Sequence, residues 1–178
     1  KYWGVHDVTS PEEISERFKK IGSIVFSMLQ LFEKYEVHVT WATVGLLTHS
    51  NLNELIEKNK SKAISYQNKI FCPFPISAEK FSKIPFEILT AQKEIEAILK
   101  TKNQELSSHT YAHYYTLEKG QTETEFLQDL DSMNDIATKL NHKFRSIVFP
   151  RNQINLKYLS ILNKSGYVAY RGNQKNKD

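Results

Sequence analysis

The feature that most constrains the fold is a regular alternation of helical and strand patterns along the 178 residues. Most of the predicted strands are short β-branched or aromatic runs, and each strand is preceded by a segment whose apolar residues recur every three to four positions. The predicted strands cover residues 37–44, 105–108, 146–149 and 167–170. Since a helix between two strands is a right-handed crossover to a parallel neighbour, this order predicts an α/β fold with a parallel sheet.

Local signals predict where several helices begin. Ser10, Pro11 and Glu13 form a capping box with proline at the first helical position, and Thr122 with Glu125 forms a second box. Behind the first box, the apolar residues from Ile14 to Phe32 predict one long helix with a single buried stripe.

Three further segments complete the pattern. The strand at 37–44 lacks polar alternation, which predicts burial on both faces. A short helix is expected from Asn51 to Lys60, and helices are expected near residues 88–99 and 155–164. Residues 65–85 contain prolines and no clear period, so we expect a long loop of the kind that often forms a lid or a substrate wall.

Composition sets broad limits on function. The length and the 40% hydrophobic content predict one domain over residues 1–171, followed by a polar tail at 172–178. The net charge of +4 comes with small lysine clusters at 58–62 and 175–177 but no basic stripe, so nucleic acid is not an expected partner. The single Cys72 excludes an internal disulfide and is expected to be a small buried hydrophobe. No apolar run approaches ~20 residues, so no membrane span is expected.

Two histidines four residues apart, His109 and His113, form the strongest candidate site. At this spacing one helical turn would bring both imidazoles to the same face, where they could bind one metal ion. A pair of surface histidines is the alternative. The other histidines have no constellation around them and are expected to lie on the surface or to pack locally. Because ligands of parallel sheets bind at the carboxyl ends of strands, we expect the turn after Thr43, the His109 loop and residues 150–152 to converge at one edge of the sheet.

Three segments together resemble the polysaccharide deacetylase family of NodB-type domains. Residues 34–45 are similar to the strand that follows the family's first helix. Residues 108–113, Ser-His-Thr-Tyr-Ala-His, resemble its Ser-His-Thr-x-x-His metal motif, and Phe149-Pro150-Arg151-Asn152 takes the place of its Arg-Pro-Pro segment. The order and spacing agree over nearly the whole chain.

The resemblance implies an irregular (β/α) barrel that binds a divalent metal, most commonly zinc, through His109 and His113 and an acidic residue. It also implies hydrolysis of an N-acetyl group on a polysaccharide or amino sugar. Asp7 and Arg151 are the candidate catalytic residues, Arg151 by orienting the catalytic acid or the substrate. Tyr114 and Asn152 are candidates for substrate binding, Tyr114 by stacking on a sugar ring. For Asp7, Arg151 and Tyr114 a purely structural role remains the alternative.

The sequence also departs from the family's pattern. The two acidic residues of the first motif have no clear match, and the late general-acid histidine has no counterpart after Arg171. We therefore expect the chain to be an incomplete piece of the barrel, with the third metal ligand and the catalytic base encoded upstream of Lys1. The absence of a visible signal peptide favours a cytoplasmic location. Two other functions stay open: hydrolysis of another non-peptide C–N bond, and an inactive carbohydrate-binding domain.

Overall fold

Four parallel strands form one sheet within residues 1–173, the part of the chain that the computed structural model describes. The strands lie in chain order, β1 (Val39–Thr43), β2 (Gln104–Ser108), β3 (Ser146–Ile147) and β4 (Ala169–Tyr170). The prediction of an α/β fold with a parallel sheet is therefore confirmed. The sheet of the described residues is open, so the predicted barrel is not confirmed.

Eight α-helices accompany these strands within the same residues. They are α1 (Pro11–Lys19), α2 (Ile21–Lys34), α3 (Leu52–Asn59), α4 (Ala78–Phe81), α5 (Phe86–Leu89), α6 (Gln92–Lys100), α7 (Glu123–Lys139) and α8 (Leu159–Lys164). None of the helices in residues 1–173 is long and apolar enough to cross a membrane. The lysine cluster at 175–177 and most of the predicted tail lie outside the described residues.

Both predicted capping boxes are present. The side chain of Ser10 accepts a hydrogen bond from the Glu13 amide, and Thr122 does the same for Glu125, while each glutamate bonds back to its cap. The prediction of one helix behind Ser10 is wrong, because the chain kinks at Lys20 and forms α1 and α2. The kink lets α1 pack against α5 while α2 packs against α6.

The predicted burial of the first strand and helix is also wrong in part. β1 is the edge strand of the described sheet, and Thr40 and Ala42 are exposed on one of its faces. His38, which was expected to pack inside this strand, is exposed just before it. On α2, Leu29 is buried, whereas Met28 is exposed with several apolar neighbours (Ile24, Phe26 and Leu31).

The long segment at 65–85 is packed against the core. It contains α4 and a short 3₁₀ turn at Lys69–Phe71. Tyr66, Ile76 and Phe81 are each almost completely buried, so the segment forms a fixed wall of the domain. Cys72 is half-buried and packs at the edge of this core, close to its expected role.

Candidate functional site

The carboxyl ends of β1, β2 and β3 meet at one edge of the sheet, as expected. The amide of His109 donates to the carbonyl of Thr43 at 2.8 Å, and the amide of Val148 donates to the carbonyl of Ser108 at 2.9 Å. These bonds join the ends of neighbouring strands. The predicted convergence of the three segments on one edge is therefore confirmed.

His109 and His113 lie together, but the expected helical turn is absent. The segment after β2 is a loop, in which Thr110 and His113 adopt left-handed backbone angles with φ of 62° and 56°. The two imidazole rings are nevertheless adjacent, with centroids 4.9 Å apart. The two rings are therefore neighbours, as the spacing predicts, but a loop rather than a helical turn brings them together. We call residues 109–113 the histidine loop.

Asp129 of α7 holds the histidine loop in place. Its carboxylate accepts hydrogen bonds from the amides of Tyr111 at 2.7 Å and Ala112 at 2.9 Å. Burial raises the pKa of Asp129 to about 6, and the two amide bonds oppose this shift. No local motif marked Asp129, because its partners lie 17 and 18 residues earlier in the chain.

Each histidine uses one ring nitrogen for a hydrogen bond. Nδ1 of His109 lies 2.6 Å from the carbonyl oxygen of Val148, and Nδ1 of His113 lies 3.0 Å from the hydroxyl of Tyr115. Burial lowers the pKa of His113 to about 2, and the nearby His109, His6 and Arg151 add to this effect. Burial also lowers the pKa of His109, against the opposing bond to Val148. Both rings are therefore neutral at pH 7, as metal ligation requires.

Asp7 and Arg151 form an ion pair beside His113. Nη2 of Arg151 donates to Oδ2 of Asp7, whose side chain is fully buried. The guanidinium of Arg151 also lies over the ring of Tyr115, 4.9 Å from its centroid. Arg151 directly follows Pro150, and its backbone is left-handed with φ of 50°. In this conformation its side chain reaches Asp7. The fold thus brings together the two predicted catalytic residues, which lie 144 residues apart in the sequence.

The donor set fits part of a metal site. Two neutral imidazoles are typical zinc ligands, and Oδ1 of Asp7 is buried without a hydrogen-bond partner among residues 1–173. However, within those residues no three side chains of His, Cys, Asp or Glu lie close enough together to hold a metal ion. His109 and His113 therefore fit two ligand positions, and Asp7 does not complete the set in this arrangement.

Comparison with known proteins gives the family. The model of the polysaccharide deacetylase family matches residues 22–170, which is most of the chain. The chain belongs to this family. A similar solved structure is a de-N-acetylase from Aggregatibacter actinomycetemcomitans, with a TM-score of 0.51 and 16% identity. That similarity covers 83% of this chain and 57% of the other, and it concerns the fold. None of the curated proteins matches this sequence.

The remaining predicted substrate-binding residues differ in whether their side chains are accessible. Tyr114 is almost completely buried, and its hydroxyl lies within hydrogen-bond distance of the Gln121 side-chain oxygen and the Thr122 carbonyl, so its ring is not available for stacking on a sugar. Asn152 is exposed beside Arg151 and stays a prediction for substrate binding.

His49 was expected at the surface and is instead buried. Its Nε2 lies 2.9 Å from the hydroxyl of Tyr111, so it supports the histidine loop from behind. Burial lowers the pKa of His49 to about 4.

Proposed function

We propose that this chain carries the metal-binding histidines of an enzyme that removes N-acetyl groups from a polysaccharide or amino sugar. The observation that carries the proposal is the placement of His109 and His113. Their rings are adjacent at the carboxyl end of a parallel sheet, in a chain that belongs to the polysaccharide deacetylase family. Ligands of parallel α/β sheets bind at this edge.

The proposed metal is a divalent ion, most simply zinc. His109 and His113 would hold it through their Nε2 atoms, since their Nδ1 atoms are occupied by Val148 and Tyr115. When bound, such an ion acts as a Lewis acid and lowers the pKa of a coordinated water from 15.7 to ~7. The chain's own contribution is to hold both rings neutral and oriented, and to keep the charge of Arg151 beside Asp7 close to the site.

Asp7 and Arg151 support the site in different ways. Asp7 is buried and occupied on Oδ2, so we assign it a role in positioning its neighbours. The side chain of Arg151 is 38% exposed, so part of it is available to a substrate as well as to Asp7. Asn152, exposed next to it, is the proposed contact to a sugar hydroxyl.

The experiment compares the wild type with His109→Ala and His113→Ala. We expect the wild type to bind zinc at one ion per chain and each variant to lose most of it, as measured by elemental analysis after dialysis. His38→Ala is the matched control, because His38 is exposed and lies outside the site. Zinc content unchanged in both site variants would refute the metal site.

Activity is tested by release of acetate from an oligomer of N-acetylglucosamine. We expect any release of acetate to require both histidines, so that zinc-loaded wild type and His38→Ala release more acetate than either site variant. Zinc binding together with hydrolysis of other linear or cyclic amides, but not of the sugar, would favour the alternative C–N hydrolase. Binding of the oligomer without zinc and without acetate release would favour an inactive carbohydrate-binding domain.

A further inference from the structure

Four side chains form a hydrogen-bonded row that ends at His113. Arg151 donates to Oδ2 of Asp7, the hydroxyl of Tyr115 lies 3.2 Å from the same oxygen, and Nδ1 of His113 lies 3.0 Å from that hydroxyl. Tyr115 is fully buried, and its backbone amide donates to the hydroxyl of Tyr66 at 2.7 Å. Tyr115, in the middle of the row, is therefore held through its backbone as well as through its hydroxyl.

The direction of each hydrogen bond in this row follows from the chemistry of the groups. The Asp7 carboxylate, paired with a guanidinium, can only accept, so the single hydroxyl proton of Tyr115 is donated to Asp7. The oxygen of Tyr115 can then only accept from His113. Nδ1 of His113 must carry the ring proton, which leaves Nε2 as a bare lone pair.

His109 has the same tautomer as His113, but a different partner fixes it. The carbonyl oxygen of Val148 can only accept, so Nδ1 of His109 donates to it and Nε2 is again bare. A neutral imidazole can hold its proton on either nitrogen, and the hydrogen bond made by one nitrogen decides which form is present. Both histidines therefore present the same nitrogen, unprotonated, as metal ligation requires.

We propose that Tyr115 is a positioning residue that fixes the tautomer of His113 for metal binding, with Asp7 and Arg151 setting the direction of its hydroxyl. This inference rests on the proposed metal site and extends it to the residues behind the ligands. Groups in this outer position typically change metal affinity by about 10- to 100-fold when they are removed. Tyr115 therefore acts through His113 and not on the substrate.

The first measurement is made without metal. In the wild type, ¹⁵N NMR of the histidine rings at pH 7.5 should show His113 protonated on Nδ1. In Tyr115→Phe the ring loses its acceptor, so we expect a shift towards the Nε2-protonated form. Tyr158→Phe is the matched control, because it also removes one hydroxyl from a buried tyrosine, but that hydroxyl donates to Gln121. A role of Tyr115 in packing alone would not move the His113 signals.

The second measurement is zinc affinity by competition with a chelating dye. Tyr115→Phe should bind zinc about 10- to 100-fold more weakly than the wild type, while Tyr158→Phe stays within about twofold. Asp7→Asn is a second variant, used whether or not Tyr115→Phe folds. Its amide can donate to the Tyr115 oxygen and free the hydroxyl proton for His113, so we expect it to shift the tautomer in the same direction.

The outcomes separate this inference from the proposed function. If Tyr115→Phe and Asp7→Asn both keep the wild-type His113 signals, the inference is wrong even if zinc binds. If the wild type binds no zinc at His109 and His113, the proposed function fails, and the metal-free NMR measurement still decides whether Tyr115 fixes the tautomer. A tautomer shift together with weaker zinc binding in Tyr115→Phe supports the inference.

Discussion

Replacing Asp129 with alanine tests how the histidine loop is held. The carboxylate of Asp129 accepts from the buried amides of Tyr111 and Ala112. Without it, two buried donors lose their acceptor, and each such loss costs about 1–3 kcal/mol. We therefore expect Asp129→Ala to lower the free energy of unfolding by roughly 2–6 kcal/mol at a pH where Asp129 is protonated in both the folded and the unfolded chain.

The loss should become smaller as the pH rises. Burial raises the pKa of Asp129 from 3.8 to about 6, so the folded protein holds this proton more tightly than the unfolded chain. The stability from this difference is fully present below about pH 4 and is lost as the pH rises through about 6. The shift corresponds to about 3 kcal/mol, which the wild type loses over this window and the alanine variant does not.

The assay is urea unfolding at several values between pH 4 and pH 7.5. The variant should be destabilised more at pH 4 than at pH 7.5, by about 2 kcal/mol, since the unfolded carboxyl is already partly ionised at pH 4. Other titrating groups are common to both proteins and cancel in the difference. Asp131→Ala is the matched control, since Asp131 is an exposed carboxylate on the same helix, and its effect should be small at every pH. A loss that is equal at all pH values, or that grows with pH, would refute the argument that burial governs the ionisation of Asp129.

Two further predictions concern the surroundings of the histidine loop. In Gly45→Ala the new Cβ would lie 2.5 Å from Cδ2 of Tyr111, so we expect a loss of about 1–3 kcal/mol in urea unfolding, whereas Gly172→Ala, with no atom nearby, should be neutral. Partial burial raises the pKa of Glu54, but hydrogen bonds from Lys139 and Ser50 outweigh it and lower the pKa to about 2. The stability that Glu54 contributes should therefore be present above pH 4.5 and lost as the pH falls towards 2. Lys139→Met should make this acid-induced loss of stability smaller, as measured by unfolding curves at several acid pH values. Curves that lose stability as the wild type does would contradict this role of Lys139.

The parts of the fold that depend on residues close together in the chain could be predicted from the sequence. The two capping boxes and the strand runs involve residues close together in the chain, and both were found as expected. The kink at Lys20 and the exposed face of β1 depend on what packs against these elements. The apolar period continues through the kink, and Lys20 itself keeps a right-handed helical conformation. The apolar period of residues 14–32 therefore does not mark the break.

In the candidate site, too, the local feature could be predicted and the long-range contacts could not. The spacing of His109 and His113 was informative because two residues four apart can be neighbours in several conformations, not only in a helix. The groups that orient the two histidines were not visible, because Asp129 and Tyr115 act through bonds to the histidine loop that no short motif encodes. Arg151 was found only through its position after Pro150, and its partner Asp7 was found separately.

Backbone strain is concentrated where these long-range contacts meet. Of the seven non-glycine residues with positive φ in residues 1–173, four lie in the histidine loop or directly after Pro150, namely Thr110, His113, Arg151 and Asn152. Such conformations cost about 1–3 kcal/mol each and persist only where the surroundings hold them. Here Asp129 binds the histidine loop, and Asp7 binds Arg151. The strained positions and the residues that hold them therefore belong to one unit, so weakening Asp129 or Asp7 should disturb the histidines before it disturbs the sheet.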